Sequence, residues 1–292
     1  DAFLEAEKPD VVLVQGDTTS VFCAALAAFY RRIPVGHVEA GLRTHDRYAP
    51  FPEEINRCLA DRLAAMHFAP TEGARANLLR EGVPAECVHV TGNTVVDALL
   101  WISERITRES SALPLAVQEA KASGIRVVLL TAHRRESSGA GIAGICEAVV
   151  KVAQCRRDVC FVFPVHLNPS IRKAVFDALD GRPGVLLLDP LPYRAFVALM
   201  MACDVVLTDS GGLQEEAPVL GKPVLVMRDV TERPEVVAAG SARLVGTRPE
   251  AIAESLCALL DDRALYARMS RARSPYGDGR SAGKICDILE EF

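Results

Sequence analysis

Short, continuously apolar runs alternate along the chain with longer stretches whose apolar positions recur every three or four residues. Ten such runs read as strands, at residues 11–15, 34–39, 66–70, 87–92, 126–132, 159–165, 185–189, 205–210, 223–227 and 242–246. Their side chains are apolar throughout instead of alternating with polar ones. That pattern predicts parallel sheets covered on both faces. Helical patterns open between them near Thr18, Pro52, Thr71, Asn93, Gly139, Asn168, Tyr193, Gly211 and Arg248. Repeated strand–helix units predict an α/β fold with doubly wound parallel sheets.

The sheet pattern pauses over residues 94–120, where a long helical stretch carries the polar break "RESSALP". Two Rossmann-like domains follow from this pause: residues 1–95 and residues 118–270, with a linker helix region at 96–117 and a last helical segment at 271–292. In open parallel sheets, ligands bind outside the carboxyl ends of the strands. Asp17, Glu39 with the loop to Glu53, His133, His166 and the segment "DSGG" at 209–212 all sit at such ends. Acid–base groups at the same end of strands in both halves predict an active site in a cleft between two domains.

Composition narrows the function. Half of the 292 residues are hydrophobic and the formal charge is −5, so no basic field draws the chain to nucleic acid. Nine cysteines lie scattered without a C-x-x-C pair. They read as small buried hydrophobes in a reducing compartment, not as disulfides or metal ligands, which places the protein in the cytosol. No run approaches the roughly 18 apolar residues of a membrane span. The chain opens "DAFLEAEKPDVVLVQGD", without Met and inside a helical pattern, so it reads as lacking its beginning.

The richest stretch is "TDSGGLQEEAPVLGKPVLVMRDVTERPE", residues 208–235. Ser210, Gly211 and Gly212 open a helix whose free N–H groups suit a phosphate. Glu215 or Glu216, a turn later, could accept ribose hydroxyls, and Arg228 and Arg233 could neutralise a diphosphate. The plainer alternative is a tight βα turn with a Ser cap and first-turn acids; the composite favours a nucleotide site. In "TAHRRES", His133 suits proton transfer near neutral pH and Arg134 suits a phosphate. In "GDTTS", Asp17 or a Thr is as easily the helix cap as Asp17 is a catalytic acid. In "PFPEEINR", Glu53 and Glu54 also suit a helix start. His166 in "PVHLNP" lies near a helix that Asn168 could cap. Phe196 reads most simply as core, although a base could stack on it.

The segments "GDTTS", "PVGHVEAGLRT", "PEEINR", "TAHRRES", "PVHLNP", "TDSGGLQEEAP", "GKPVLVMRDVTERPE" and "PYGDG" together, over nearly the whole chain, resemble the non-hydrolysing bacterial UDP-N-acetylglucosamine 2-epimerases. The resemblance implies a glycosyltransferase-B-like pair of domains, an interdomain active site and a C-terminal helix that returns to the first domain. It implies inversion at C2 of UDP-GlcNAc to give UDP-ManNAc by anti elimination of UDP and re-addition to 2-acetamidoglucal. No cofactor or metal is implied; a homodimer is. The matching acid–base positions are Asp17, Glu39, Glu53 and His133, with the group that takes the C2 proton left open. Ser210, Gly211, Gly212 and Glu216 match the UDP site, with Glu216 on the ribose. Arg228 or Arg233, His166 and Phe196 match the diphosphate and uridine surroundings. The family's opening strand and "GTRPE"-like loop are absent, which predicts an exposed sheet edge in the first domain.

Within "PVGHVEAGLRTHDRYAPFPEE", Glu39 and Glu53 are thus the chemical candidates, and His37 and Arg43 read as supporting partners. His45, Asp46, Arg47 and Glu54 read as solvated or capping residues. Rival readings are a hydrolysing epimerase that releases ManNAc and UDP, a glycosyltransferase of the same fold, and an inactive nucleotide-sugar-binding module.

Overall fold

The computed structural model describes residues 2–108, 113–133 and 140–292. Arg134, Arg135 and Glu136, the helix start expected at Gly139 and most of the "RESSALP" break lie outside the described residues. All ten apolar runs fold as strands: β1 Val12–Gln15, β2 Val35–Val38, β3 Met66–Ala69, β4 Val88–Val90, β5 Arg126–Thr131, β6 Val159–Pro164, β7 Val185–Leu188, β8 Val205–Thr208, β9 Val224–Val226 and β10 Ala242–Leu244. Every pairing among them is parallel. Two short helices escaped the periodicity reading, Pro234–Ala238 and Arg263–Arg271. The second directly follows another helix and is opened by the Asp262 side chain, which accepts from the Ala264 and Leu265 N–H groups. Among the described residues, no helix is long and apolar enough to cross a membrane.

The chain forms two compact units, residues 1–98 with 275–292, and residues 99–274. In the first unit the strands lie in the order β1-β2-β3-β4. Val14, His37, His67 and Val88 form one row across them. On one face, Val14 and Val35 pack with Val21, Ala25 and Ala28 of the helix Thr19–Tyr30 and Ala60 of the helix Glu53–Leu63. Val38, Met66 and Phe68 pack instead on Ile285 of the helix Ser281–Glu291. Asp97 opens that helix by accepting from the Ser281 and Ala282 N–H groups at 3.1 and 2.9 Å. Gly92 makes the approach possible. Its φ is +87°, and a Cβ there would lie 2.6 Å from Ser281 Oγ.

In the second unit the order is β10-β9-β8-β5-β6-β7. The chain winds outward from β5 in one direction, then returns to β8 and winds outward in the other. This is the doubly wound order, and the crevice at the β5/β8 switch point is where such sheets bind ligands. Val128, Leu130, Phe161, Phe163, Val205 and Leu207 build the core with Ile145 and Val149 of the helix Ala140–Cys155 and Ile252 of the helix Pro249–Asp261. Each such fully buried side chain stabilises the unit by roughly 1.5–3 kcal/mol, which holds the strand ends in fixed register.

Candidate functional site

In the first unit, the carboxyl ends of β1 and β2 carry Asp17 and Glu39. Thr18, not Asp17, caps the helix Thr19–Tyr30, by accepting from the Val21 N–H. Asp17 is therefore released from capping and pairs with Arg57 Nη2. Arg57 is itself only 1% exposed and also donates to Glu54 Oε2 at 3.1 Å and the Leu42 carbonyl at 3.2 Å. Glu39 adopts a left-handed backbone, φ +70°, which is uncommon for a residue with a side chain and marks strain at a strand end. Asn93 Nδ2 donates to its Oε1 at 3.3 Å. Glu53 is the first residue of its helix, one turn before Arg57, and is partly exposed.

Glu54 corrects the sequence reading. It is neither solvated nor a cap but 3% exposed. Its carboxylate accepts from the Thr44 N–H at 3.1 Å and the His45 N–H at 2.9 Å, besides Arg57. Glu54 thus pins the loop from β2 to the helix, while Glu53 next to it keeps a partly open side chain. His37 and Arg43, as expected, are hydrogen-bond partners, and both converge on Asp61. Burial alone would push the His37 imidazole down, but the charge and hydrogen bond of Asp61 hold it above its ordinary value. Burial likewise opposes the Asp61 carboxylate, yet His37 and Arg43 lower it to about 2.

In the second unit the site gathers at the switch point. Thr131 and Thr208, the last residues of β5 and β8, join hydroxyls at 2.6 Å. The His133 N–H donates to Asp209 Oδ2 at 2.9 Å, and its Nδ1 lies 3.2 Å from Oδ1 of the same carboxylate. His133 stacks on His166, centroids 5.8 Å apart. Asn168 does cap the next helix, through Ser170 N–H, and its own N–H donates to His166 Nδ1 at 3.1 Å. That bond leaves His166 Nε2 as the proton-bearing nitrogen of the neutral ring.

Ser210 stands at the N-cap position of the helix Gly211–Val219, yet its side chain makes no capping bond. The two glycines after it have different reasons. A Cβ on Gly211 would lie 2.5 Å from Arg233 Nη1, so Gly211 makes room for the protein itself. A Cβ on Gly212 would meet nothing nearer than Glu216 Oε2 at 4.0 Å, so that side of the helix start has open space. Glu216 Oε1 accepts from the Tyr193 hydroxyl at 2.6 Å. Burial raises the Glu216 carboxyl, and the Tyr193 hydrogen bond only partly offsets it. Burial, then Glu216, raises the Tyr193 phenol. Arg228 Nη1 donates to Glu232 Oε2 at 2.7 Å. Arg233 donates to Glu215 at 2.5 Å and to Glu232 at 2.6 Å. Phe196 lies half-buried in the helix Tyr193–Ala202.

With that geometry in view, relatives can be compared. The family model described as UDP-N-acetylglucosamine 2-epimerase matches residues 1–290. The chain belongs to the UDP-N-acetylglucosamine 2-epimerase family. A Salmonella typhimurium UDP-N-acetylglucosamine 2-epimerase is 52% identical over 287 residues, covering 98% of this chain and 76% of that protein. A Neisseria meningitidis UDP-GlcNAc 2-epimerase solved with UDP-GlcNAc bound is 46% identical with a TM-score of 0.93, covering 100% of this chain and 79% of that one. The S. aureus MnaA–UDP co-structure is 42% identical with a TM-score of 0.94, covering 99% and 77%. The fold class is shared with these neighbours: two parallel-sheet α/β units of the glycosyltransferase-B type.

Within this epimerase, several residues of the two sites carried no sequence signal of their own. Arg57 reaches Asp17 across 40 positions and Tyr193 reaches Glu216 across 23, so neither pairing has a local period. Asp209 and Glu232 stand beside singled-out residues, but only the fold shows what they hold. Arg57 and Asp61 had one available clue: they are charged positions on the helix side that packs on β1 and β2, where an unpaired charge is costly.

Proposed function

We propose that this epimerase interconverts UDP-GlcNAc and UDP-ManNAc without hydrolysis. A base takes the C2 proton while the C1–O bond to UDP breaks, its electrons leave with the diphosphate, and a C1=C2 double bond forms. The products of this anti elimination are 2-acetamidoglucal and UDP. Re-addition of the diphosphate oxygen to C1, with a proton delivered to the opposite face of C2, gives the epimer. The acid–base set is Asp17, Glu39, Glu53 and His133. Two faces of C2 must be served, so more than one member of the set is used. The reaction needs no cofactor, since each electron pair stays within substrate and UDP.

The nucleotide end belongs to the second unit. Ser210, Gly211, Gly212 and the helix start at Gly211 offer N–H groups to a phosphate. Glu216 receives the ribose hydroxyls. Arg134 and Arg228 or Arg233 neutralise the departing diphosphate, His166 donates to it from Nε2, and Phe196 faces uridine. Binding of UDP-GlcNAc and of UDP by the Neisseria and S. aureus neighbours supports this assignment. The nine free cysteines suit a reducing compartment, which supports a cytoplasmic location. The family resemblance supports a homodimer.

The observation that carries the reading is the treatment of Asp17. A strand-end carboxylate, relieved of capping by Thr18, is fixed by a buried guanidinium, as a positioned proton-transfer group must be. The test is product analysis of the full-length protein with UDP-GlcNAc. UDP-ManNAc should accumulate to an equilibrium mixture with intact diphosphate. Free ManNAc with a stoichiometric amount of UDP would assign the hydrolysing reaction instead.

A further inference from the structure

Behind Asp17 and Glu39 lies a charged chain that the proposed chemistry does not use. His37, in the middle of β2, has no solvent exposure. Its Nδ1 lies 2.5 Å from Asp61 Oδ1 and its Nε2 2.8 Å from the Gly16 carbonyl oxygen. A carbonyl oxygen only accepts, and an ionised carboxylate only accepts. Both ring nitrogens must therefore carry hydrogen, and the ring is an imidazolium. Asp61 is kept ionised by its other oxygen, which takes Arg43 Nη2 at 2.6 Å and the Gly41 N–H at 3.3 Å. Arg43 then forks onto Glu81, with two bonds of 2.8 Å. Two cations alternate with two anions, so the buried set is neutral overall and each charge has a partner. Glu39, just past the end of the same strand, adds a further attraction to the His37 charge.

The free end of this chain is what gives it a use. Gly16 has φ +83° and donates its N–H to the Val38 carbonyl at 3.1 Å. It directly precedes Asp17. Its carbonyl is therefore the last backbone group before the acid–base carboxylate, and an imidazolium holds it. We propose that His37 is a positioning residue: by donating to the Gly16 carbonyl it fixes the turn that aims Asp17. The inference rests on Asp17 acting in C2 proton transfer. The competing view is a core histidine that only adds stability through Asp61.

Two amide substitutions separate these views. His37→Asn keeps a donor near the Nδ1 position, toward Asp61, and cannot reach Gly16. His37→Gln carries its amide nitrogen near the Nε2 position, keeps the bond to Gly16 and gives up Asp61. Both lose the charge. In the full-length protein, turnover of His37→Asn should fall by about 10–100-fold with KM for UDP-GlcNAc changed less than about 2-fold, since misaiming by an ångström costs on this scale. His37→Gln should recover most of that loss even where thermal unfolding shows equal destabilisation. Equal turnover in the two variants, or wild-type turnover in His37→Asn, would overturn the proposal. Wild-type turnover in Asp17→Asn would instead remove the reading on which it rests. Ring ¹⁵N shifts of His37 in the unmodified protein test the proposal even if both variants misfold. Nε2 should report a bound hydrogen near neutral pH, and a ring with hydrogen only on Nδ1 would overturn it.

Discussion

The two units solve one problem with opposite signs. In the first, the groups placed at strand ends are carboxylates, and a buried cation holds one of them: Arg57 holds Asp17, while behind it His37 and Arg43 pair with the buried helix residue Asp61. In the second, the strand-end groups include arginines, and buried carboxylates hold them: Glu232 holds Arg228, and Glu215 and Glu232 hold Arg233. A lone ionised group at these depths would neutralise or move to water. A counter-charge behind it keeps both its charge and its direction. The sign of the front charge then suits the proposed task. Proton abstraction from carbon calls for anions, and a departing diphosphate calls for cations.

The largest expected effect falls on the front charges of the first unit and on His133. Asp17→Asn, Glu39→Gln or His133→Asn should lower turnover by about 10²–10⁴-fold in steady-state assays. A variant near wild-type turnover would leave the catalytic set. Next comes the backing charge, and here the units should differ in stability. Arg233→Met takes one buried cation from Glu215 and Glu232, whose side chains are each only 1% exposed, and should cost about 3–5 kcal/mol in denaturant melts. Arg57→Met should cost less. The Asp17 side chain is 29% exposed and can turn to water, while Glu54 retains the Thr44 and His45 N–H donors. Equal losses would break the comparison.

A smaller effect is acid sensitivity. The Asp61 carboxyl is lowered from 3.8 to about 2, so its contribution is complete above the unfolded value and disappears as pH falls through the folded one. Stability should drop by on the order of 2 kcal/mol across that window, and Asp61→Asn should flatten the drop. His37 runs the other way. Its raised value makes its contribution complete below 6.5 and lost only as pH rises through the higher folded value. The smallest effect is on Tyr193→Phe, which removes one hydrogen bond to Glu216. UDP titration should show binding changed by about 1 kcal/mol, within roughly tenfold.

Much of this molecule could be read from residue order alone. The apolar runs announced all ten strands, because strands buried on both faces leave little room for polar residues. Three helix starts were also marked, by Thr18, Thr71 and Asn168, whose side chains accept from the first turn. The site was legible at the level of which strand ends carry ionisable groups. It was not legible at the level of partners. Glu53 and Glu54 are the same residue type side by side, and only the fold shows that the second points into the Thr44 and His45 amides. Gly211 and Gly212 look alike for the same reason, yet one accommodates Arg233 and the other leaves space. Charge pairs across tens of residues carry no period, so Arg57, Asp61 and Tyr193 came only from the structure.

The proposed reaction removes the C2 proton and replaces it. It is tested by running the full-length protein with UDP-GlcNAc in D2O and following C2 by ¹H NMR. UDP-ManNAc should form with deuterium at C2. UDP-ManNAc formed with its original C2 hydrogen retained would contradict it.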